Sequence, residues 1–526
     1  MTYTKALILS RYHDDIANPI YNAYIKGIES QCLNLYFIDY FDHIGALGKQ
    51  GFEHHVNELL CKEKIDLVFI IFVSGDPILD PYFIQKIAQN RFMAMVFWDT
   101  EQFFEQIDRY YAQCADLVIL PANYEYVFKL QALNINAICP FSLFDSTKYK
   151  PNPNAQKSID VSFVGEVTKG KRQEYIAYLE ANGINIHTYG KGTKNGKVSF
   201  EKVVEIFNTS KINLSFTGTY ANDVYSFCAN INNRILQNKG KPIEIALCGG
   251  FVLTEYVPGI EKVFEPHCID TFQKKEELLE KVRYYLQQTD EREAMAHKAY
   301  QHAKTHYDSV SAVKTIFQTI ESITPKSEKI LLLDAIFIKI HTTFHLFYAI
   351  TFFIQKRFTL AWDELKLVLN NKKIIVRDVK NFIAYTCNAL KQRKQIQTYC
   401  NALCEKLGNE PVVIYGAGVH TTSLFQSIKN FKNLNIKAIA DKNSSLWGKQ
   451  SHNLVIISPN DITHYAQHVI ISSFAFEKEI AQELRTICES LHIHTIYNQK
   501  FSIGLIPNDY QLTDPYQTFR NTLILR

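Results

Sequence analysis

The sequence predicts an α/β protein in which two lobes of alternating strands and helices follow one another, and a helical segment then leads to a third, smaller α/β domain. Three observations point there. Ile65 to Val73 is an unbroken β-branched and aromatic run, as a strand buried on both faces of a parallel sheet requires. Glycine turns at Gly165 and at Gly416-Ala417-Gly418 each follow a predicted strand and open a predicted helix. Pro151-Asn152-Pro153-Asn154 has linker composition and breaks the alternation between the first two lobes. A chain of 526 residues exceeds one hydrophobic core, and the expected divisions are 1–150, 151–324, a helical connector 325–408, a domain 409–500 and a tail 501–526.

Composition narrows the function classes. The formal net charge of +4 is small for this length and predicts no nucleic-acid partner, and a hydrophobic content of 47% excludes disorder as the default. Met1-Thr2-Tyr3-Thr4-Lys5 runs into apolar Ala6 to Leu9 without a secretory h-region, so the expected location is cytoplasmic. Eleven cysteines occur without paired CxxC spacing. Cys400 and Cys404 share a helix face, but two ligands make no zinc site, and no metal is expected.

In the first lobe, Lys5 to Ser10, Leu33 to Ile38, Ile65 to Val73, Met93 to Trp98 and Ala115 to Leu120 read as strands. Ligands of open α/β sheets gather beyond the carboxyl ends of strands, so the His13-Asp14-Asp15 turn suits either an acceptor site around His13 or plain solvation. Asp99 ends the strand Met93 to Trp98. It suits either a cleft carboxylate that removes a proton from an attacking hydroxyl or a cap for the helix that begins near Glu101.

In the second lobe Ile159 to Val164 delivers Gly165, and Lys169 and Arg172 follow at a helix start, where a phosphate could be held or a basic turn merely solvated. The loop Thr217 to Asn233 is expected near a sugar, with Arg234 contacting sugar or phosphate. Lys239-Gly240-Lys241-Pro242-Ile243-Glu244-Ile245-Ala246-Leu247-Cys248-Gly249-Gly250 then reads as a cationic entry, a short helix that Pro242 presets, and a Gly-Gly turn into the strand Phe251 to Thr254. Lys241 and the helix start suit a diphosphate. Glu244 suits two ribose hydroxyls or, equally, a dipole-matched surface position.

The order Glu244, small residue, Cys248-Gly249-Gly250, apolar strand, Thr254-Glu255 resembles the nucleotide-binding segment of GT-B glycosyltransferases, most closely the spore-maturation, CgeB-like branch. Phe97-Trp98-Asp99, the crossover Asp145-x-x-x-Tyr149-x-Pro151, and an arginine after Phe163-Val164-Gly165 are similar to the same family, over about residues 60 to 320. The resemblance implies two Rossmann-like lobes, acceptor bound by the first and nucleotide sugar by the second, with a last helix, Thr305 to Glu321, returning to the first. It further implies Glu244 on the ribose, Arg172 on the departing diphosphate, contributions from Gly165, Lys169, Arg234, Lys241, Gly249 and Gly250, catalysis by Asp99, and no metal cofactor. The expected donor is a nucleotide-diphosphate sugar, most simply a UDP-sugar; the expected acceptor is a glycan, protein or lipid-linked hydroxyl.

Ile330 to Ile354 is strongly apolar, yet Asp334, Lys339, His341 and His345 interrupt it, so a buried helix pair is expected in place of a membrane span. Lys356-Arg357, Lys391, Arg393 and Lys394 keep peripheral membrane contact as the alternative. Gly416, Gly418 and Asp441 are spaced as a nucleotide loop and its ribose acid, although Thr421 stands where a third glycine packs helix on strand. This stretch looks like the Rossmann-type module appended to many polysaccharide and sugar-modifying enzymes, and ligand binding and docking both remain open for it. Two rivals to a glycosyltransferase follow: a non-catalytic sugar-nucleotide sensor or assembly protein, and an activity housed in residues 411 to 498.

Overall fold

The computed structural model describes residues 5–10, 19–72, 77–167, 171–219, 235–354, 356–371, 374–474 and 476–497. The chain divides into two compact units, one drawn from residues 1–194, 199–346 and 362–375, the other from 195–198, 347–361 and 376–526.

The first unit holds two parallel sheets. In the first lobe β1 (Lys5–Ser10), β2 (Asn34–Asp39), β3 (Leu67–Ile71), β4 (Phe92–Val96), β5 (Leu117–Ile119) and β6 (Ala137–Ile138) lie in the order β2-β1-β3-β4-β5-β6. All five pairings are parallel. Every residue of β3 and β4 is buried, which is why those runs show no alternation: helices cover both faces.

The second lobe orders β7 (Ile159–Val164), β8 (Ile186–Tyr189), β9 (Ser210–Ser215), β12 (Val252–Glu255) and β13 (Asp270–Phe272) as β13-β12-β9-β7-β8, again parallel throughout. A two-residue antiparallel pair, β10 (Gly218–Thr219) and β11 (Ile235–Leu236), stands at the end of β9. In both sheets the strand order reverses beside the first strand, and the carboxyl ends there form the crevice in which α/β proteins bind ligands.

Two passages join the lobes, and they touch. The Phe144 amide donates to Tyr307 O at 3.0 Å and the Ser309 amide to Phe144 O at 2.9 Å. The helix Ser309–Ser322 then packs on Pro19–Glu29 of the first lobe, where a Cβ on Gly27 would stand 2.4 Å from Val313 Cγ2. Only glycine permits that helix contact. Ala312, Val313, Ile316 and Ile320 accordingly belong to the first lobe's core, with Ile8, Tyr24 and Phe69. Two Rossmann-like lobes, a double crossover and a returning last helix are the GT-B arrangement.

Beyond it the expected helix pair at Ile330 to Ile354 is one helix, Ala335–Ile354. It starts five residues later than the apolar run because Asp334 caps it, accepting from the Ile336 and Phe337 amides at 2.8 and 2.9 Å. Upstream, Lys329 Nζ lies 3.0 Å from the buried Asp116 carboxylate. The stretch Ala335–Phe353 is long and apolar enough to cross a membrane by length and composition, and 61% of it is buried within the protein.

Phe358–Asn371 and Val376–Leu407 complete the helical segment. In the second unit β14 (Val412–Tyr415), β15 (Ile436–Ala440), β16 (Gln450–Ser451), β17 (Leu454–Ile457), β18 (His468–Ile471) and β19 (His492–Thr495) form a third sheet, ordered β16-β17-β15-β14-β18-β19 and parallel except for β16.

Candidate active site

The site is built at the carboxyl ends of β7, β9 and β4. After β7 the Gly165 amide donates to Tyr189 O at 2.8 Å, and Gly190, at φ +124°, comes so near that a Cβ on it would stand 2.2 Å from Gly165 O. Both glycines serve this close approach of two strand ends. Arg172 opens the helix Arg172–Ala181 and is buried there. Its Nη1 donates to Glu166 O at 2.8 Å and its Nη2 to Gly218 O at 3.0 Å, so one guanidinium ties the turn after β7 to the turn after β9. Glu255, at the end of β12, holds that second turn from the other side. Its Oε2 accepts from the Thr217 amide at 2.9 Å, the Thr217 hydroxyl at 3.2 Å and the Gly218 amide at 3.1 Å.

From here the network reaches the first lobe. The Gln237 amide donates to Thr217 O at 3.1 Å, and its side-chain Nε2 donates to Asp99 Oδ1 at 2.8 Å. Lys239 Nζ donates to Gln237 Oε1 at 2.9 Å. Asp99 sits in the left-handed region at φ 50°, and its side chain makes no cap hydrogen bond to the helix Thr100–Phe103. Of the two roles open to Asp99, capping is thereby set aside, and the carboxylate turns toward Gln237.

Beside it, burial first and the Asp99 charge second push the Glu101 carboxyl up to about 8, with Lys239 drawing it back. Glu101 Oε2 accepts from Asn123 Nδ2, while Oε1 is buried without a hydrogen-bond partner. Asp108 is likewise pushed up to about 8 by burial, and takes the Thr100 hydroxyl at 2.8 Å. It closes a single π turn, Phe104–Asp108, a conformation frequent beside functional sites.

One turn beyond Lys239 the helix Lys241–Leu247 begins. Glu244 Oε2 receives Lys241 Nζ at 2.7 Å and the Tyr149 hydroxyl, from the crossover, at 3.3 Å. Gly249, at φ +69°, and Gly250 stand at the opposite end of this helix. The Gly250 amide donates to Ile245 O at 3.0 Å, and a Cβ on Gly250 would stand 2.8 Å from Asn213 Nδ2, so these two positions serve the turn and its packing.

Asp99 thus follows β4 of the first sheet, Gly165 and Arg172 follow β7 of the second, and Lys241 and Glu244 lie on the helix after β11, with Gln237 linking Asp99 to the second lobe. His13, Lys169 and Arg234 lie outside the described residues. The sequence carries no chemical signal for Gln237 or Glu101, and Glu255 enters it as the close of the Thr254-Glu255 motif with no role assigned to its side chain. Among the described residues no group of three or more His, Cys, Asp or Glu side chains is placed to hold a metal ion.

In the second unit Gly416, at φ +115°, admits Ser472 O so closely that a Cβ would stand 2.9 Å away. Asp441 accepts from the Ala417 amide at 2.7 Å and the Asn443 amide at 2.8 Å, bracing its own loop and the glycine turn after β14. The Thr421 hydroxyl lies 2.7 Å from Ser472 Oγ and also reaches Gly416 O, which is how a residue larger than glycine is accommodated. Gly418 is open, and a Cβ there would meet nothing within 4 Å.

Residues 171–318 match a family described as glycosyl transferase-like, and residues 408–493 one described as C2185-like, N-terminal. No curated protein matches the chain. Among solved structures, Anabaena Alr3699/HepE in complex with UDP and glucose is similar over 61% of this chain and 100% of its own, at 14% identity and a TM-score of 0.43. Sucrose-phosphate synthase from Thermosynechococcus elongatus is similar over 61% of this chain and 98% of its own, at 10% identity and a TM-score of 0.44. An E. coli structure described as trehalose-6-phosphate, bound with UDP-2-fluoro glucose, is similar over 61% and 100%, at 10% identity and a TM-score of 0.41. The glycosyl transferase-like match thus falls on the second lobe and the helix that returns from it.

Proposed function

We propose that this protein is a metal-independent glycosyltransferase of the CgeB-like branch, moving a sugar from a nucleotide-diphosphate donor, a UDP-sugar in the first instance, to a hydroxyl of a glycan, protein or lipid-linked acceptor. Residues 1–150 take the acceptor and 151–324 the donor, and the setting is the cytoplasm, which free cysteines suit. The observation that carries the reading is the hydrogen-bonded path from Arg172 through Gly218, Thr217 and Gln237 to Asp99, which links a cation at the strand ends of one lobe to a carboxylate at those of the other.

In the transfer the acceptor oxygen forms a bond to the anomeric carbon while the bond from that carbon to the diphosphate oxygen breaks and the diphosphate leaves with the electron pair. Arg172, Lys239 and Lys241 offset the charge that develops on it. Asp99 takes the acceptor proton or orients the hydroxyl. Glu101, held largely protonated near neutral pH, keeps the site's net negative charge low enough for a diphosphate to approach. Glu244 accepts the ribose hydroxyls and shares Lys241 with them.

The test is a thermal-shift screen of the full chain against nucleotide sugars, followed by a transfer assay in cell extract. A bound donor raises the apparent melting temperature because only the folded form binds it. Absence of any shift overturns the reading. Binding without turnover would identify a non-catalytic sugar-nucleotide binder, and unchanged calorimetric affinity in Glu244→Ala would remove the ribose assignment.

A further inference from the structure

Residues 356–394 contain ten Lys and Arg against three Asp and Glu, a surplus of seven in a chain whose whole surplus is four. Of the three acids, Glu364 and Asp378 are buried. The positive charge of this protein is therefore concentrated in one short stretch, outside the candidate active site.

Seven of the ten cations lie in the second unit, interleaved there with exposed apolar side chains. Phe353 and Phe358 are 64% and 59% exposed, with ring centroids 5.6 Å apart, and Lys356 and Arg357 stand between them in the chain. Phe347 stacks on Phe382 at 4.5 Å, joining this segment to the helix Val376–Leu407. On that helix Val376, Ile383 and Leu390 are 56%, 45% and 44% exposed. Their seven-residue spacing puts them on one side, since seven residues make about two turns. Arg377, Lys380, Lys391 and Lys394, all exposed, border the same stripe.

We propose that this face docks on an anionic lipid bilayer, with the Phe353–Phe358 pair and the Val376–Leu390 stripe entering the headgroup boundary and the lysines and arginines meeting lipid phosphates and carboxylates. Exposed Phe, Ile and Leu beside clustered cations are what an interfacial surface needs. The charge argues against the other occupants. A second copy would bring two cationic faces together, and a nucleic acid would use the cations but leave the aliphatic stripe in water. The proposal does not rest on the glycosyltransferase reading and survives its failure.

The experiment is co-sedimentation of the full chain with vesicles of phosphatidylcholine alone and with about a third phosphatidylserine, at low and high salt. Expected is binding to the anionic vesicles, little to the neutral ones, and loss near 1 M salt, where the screening length falls to about 3 Å. In Lys380→Gln/Lys391→Gln/Lys394→Gln, partitioning drops about fivefold for each charge removed. In Phe353→Ser/Phe358→Ser it drops about tenfold or more at unchanged melting temperature, because both rings already face solvent.

No binding of the full chain to anionic vesicles overturns the proposal, as does binding that both variants leave unchanged. So would tighter binding to a DNA duplex that the lysine variant abolishes and the phenylalanine variant does not touch. A salt-stable dimer that the phenylalanine variant dissolves, without lipid binding, would assign the face to self-association instead. Should the phenylalanine variant fail to fold, the lysine variant and the salt series decide.

Discussion

The strand ends of the GT-B unit and those of the C-terminal sheet start from the same device, a glycine turn after a parallel strand, and use it differently. At β7 and β9 the turns are bridged by long polar side chains: Arg172 spans two of them, and Gln237 reaches from the second lobe to Asp99 of the first. At β14, β15 and β18 the polar groups are short and stay within one sheet: Asp441, after β15, accepts from the Ala417 amide after β14, and the Thr421 hydroxyl bonds Ser472 after β18. A glycine turn thus marks where a ligand can approach. Whether the acid beside it reaches a partner lobe or a neighbouring turn of its own sheet decides what the turn does.

The largest effect expected from breaking this contrast is on turnover. Asp99→Asn keeps the Gln237 contact but removes the basic oxygen, and sugar transfer from a nucleotide-sugar donor should fall about 10²–10⁴-fold at nearly unchanged melting temperature. Asp441→Asn should leave transfer intact and cost about 1–2 kcal/mol of stability by weakening two backbone hydrogen bonds, measured by denaturant titration. Equal loss of transfer in both would move the chemistry into the second unit. Next comes the backbone: Gly190→Ala places a Cβ 2.2 Å from Gly165 O at a φ of +124° and should destabilise by about 3 kcal/mol or more. Gly418→Ala meets nothing within 4 Å and should change stability by less than about 0.5 kcal/mol.

Much of this architecture was legible because it rests on local pattern. The buried runs that became β3 and β4 announce themselves in apolar spacing, while the crossover at Asp145 to Pro151 and the returning helix Ser309–Ser322 are what the family resemblance implies. The network of the site was not, because its partners are distant in sequence: Gln237 meets Asp99 across 138 positions. Glu101 reads as an ordinary acid in a first helical turn, and only the fold around Asn123 buries it. β10 and β11 have two residues each, too few for any periodicity. Arg172 was expected as a cation beside a phosphate. Its two hydrogen bonds to carbonyls show that it also holds the turns in place, a role that residue type alone does not reveal.

Acidity separates the two regions in sign. Glu101 binds its proton more tightly in the fold, with its value at about 8, than in the unfolded chain. Its stability contribution is therefore complete below the ordinary glutamate range and is lost as pH rises through about 8. His420 is held down to about 4 by burial, so the fold keeps it neutral while the unfolded chain protonates it. Its contribution is complete above the ordinary histidine value of about 6.5 and is lost as pH falls through 4. Amide exchange of β4 against β14 across pH 4 to 8 should show the first protected best at the acid end and the second at the neutral end. Glu101→Gln should flatten only the former, and a slope that persists there would assign it to the other raised acids of the first unit, Asp108, Glu53 and Glu364.

A modest effect is expected at Thr421, and it bears on what the C-terminal turn is for. Its hydroxyl stands where a third glycine would otherwise let helix and strand approach, and it bonds both Ser472 Oγ and Gly416 O. Thr421→Val keeps the shape and removes both bonds, leaving a buried carbonyl and a buried hydroxyl short of one partner each, for a cost of about 1–2 kcal/mol. Thr421→Gly removes the same bonds but opens the approach. If the turn serves packing alone, the glycine variant should be the less stable of the two, since it adds backbone freedom worth about 1 kcal/mol in the helix Val419–Ser427. If the turn takes a nucleotide, the glycine variant should instead gain a ligand-dependent rise in melting temperature with NAD or a UDP-sugar that the valine variant lacks.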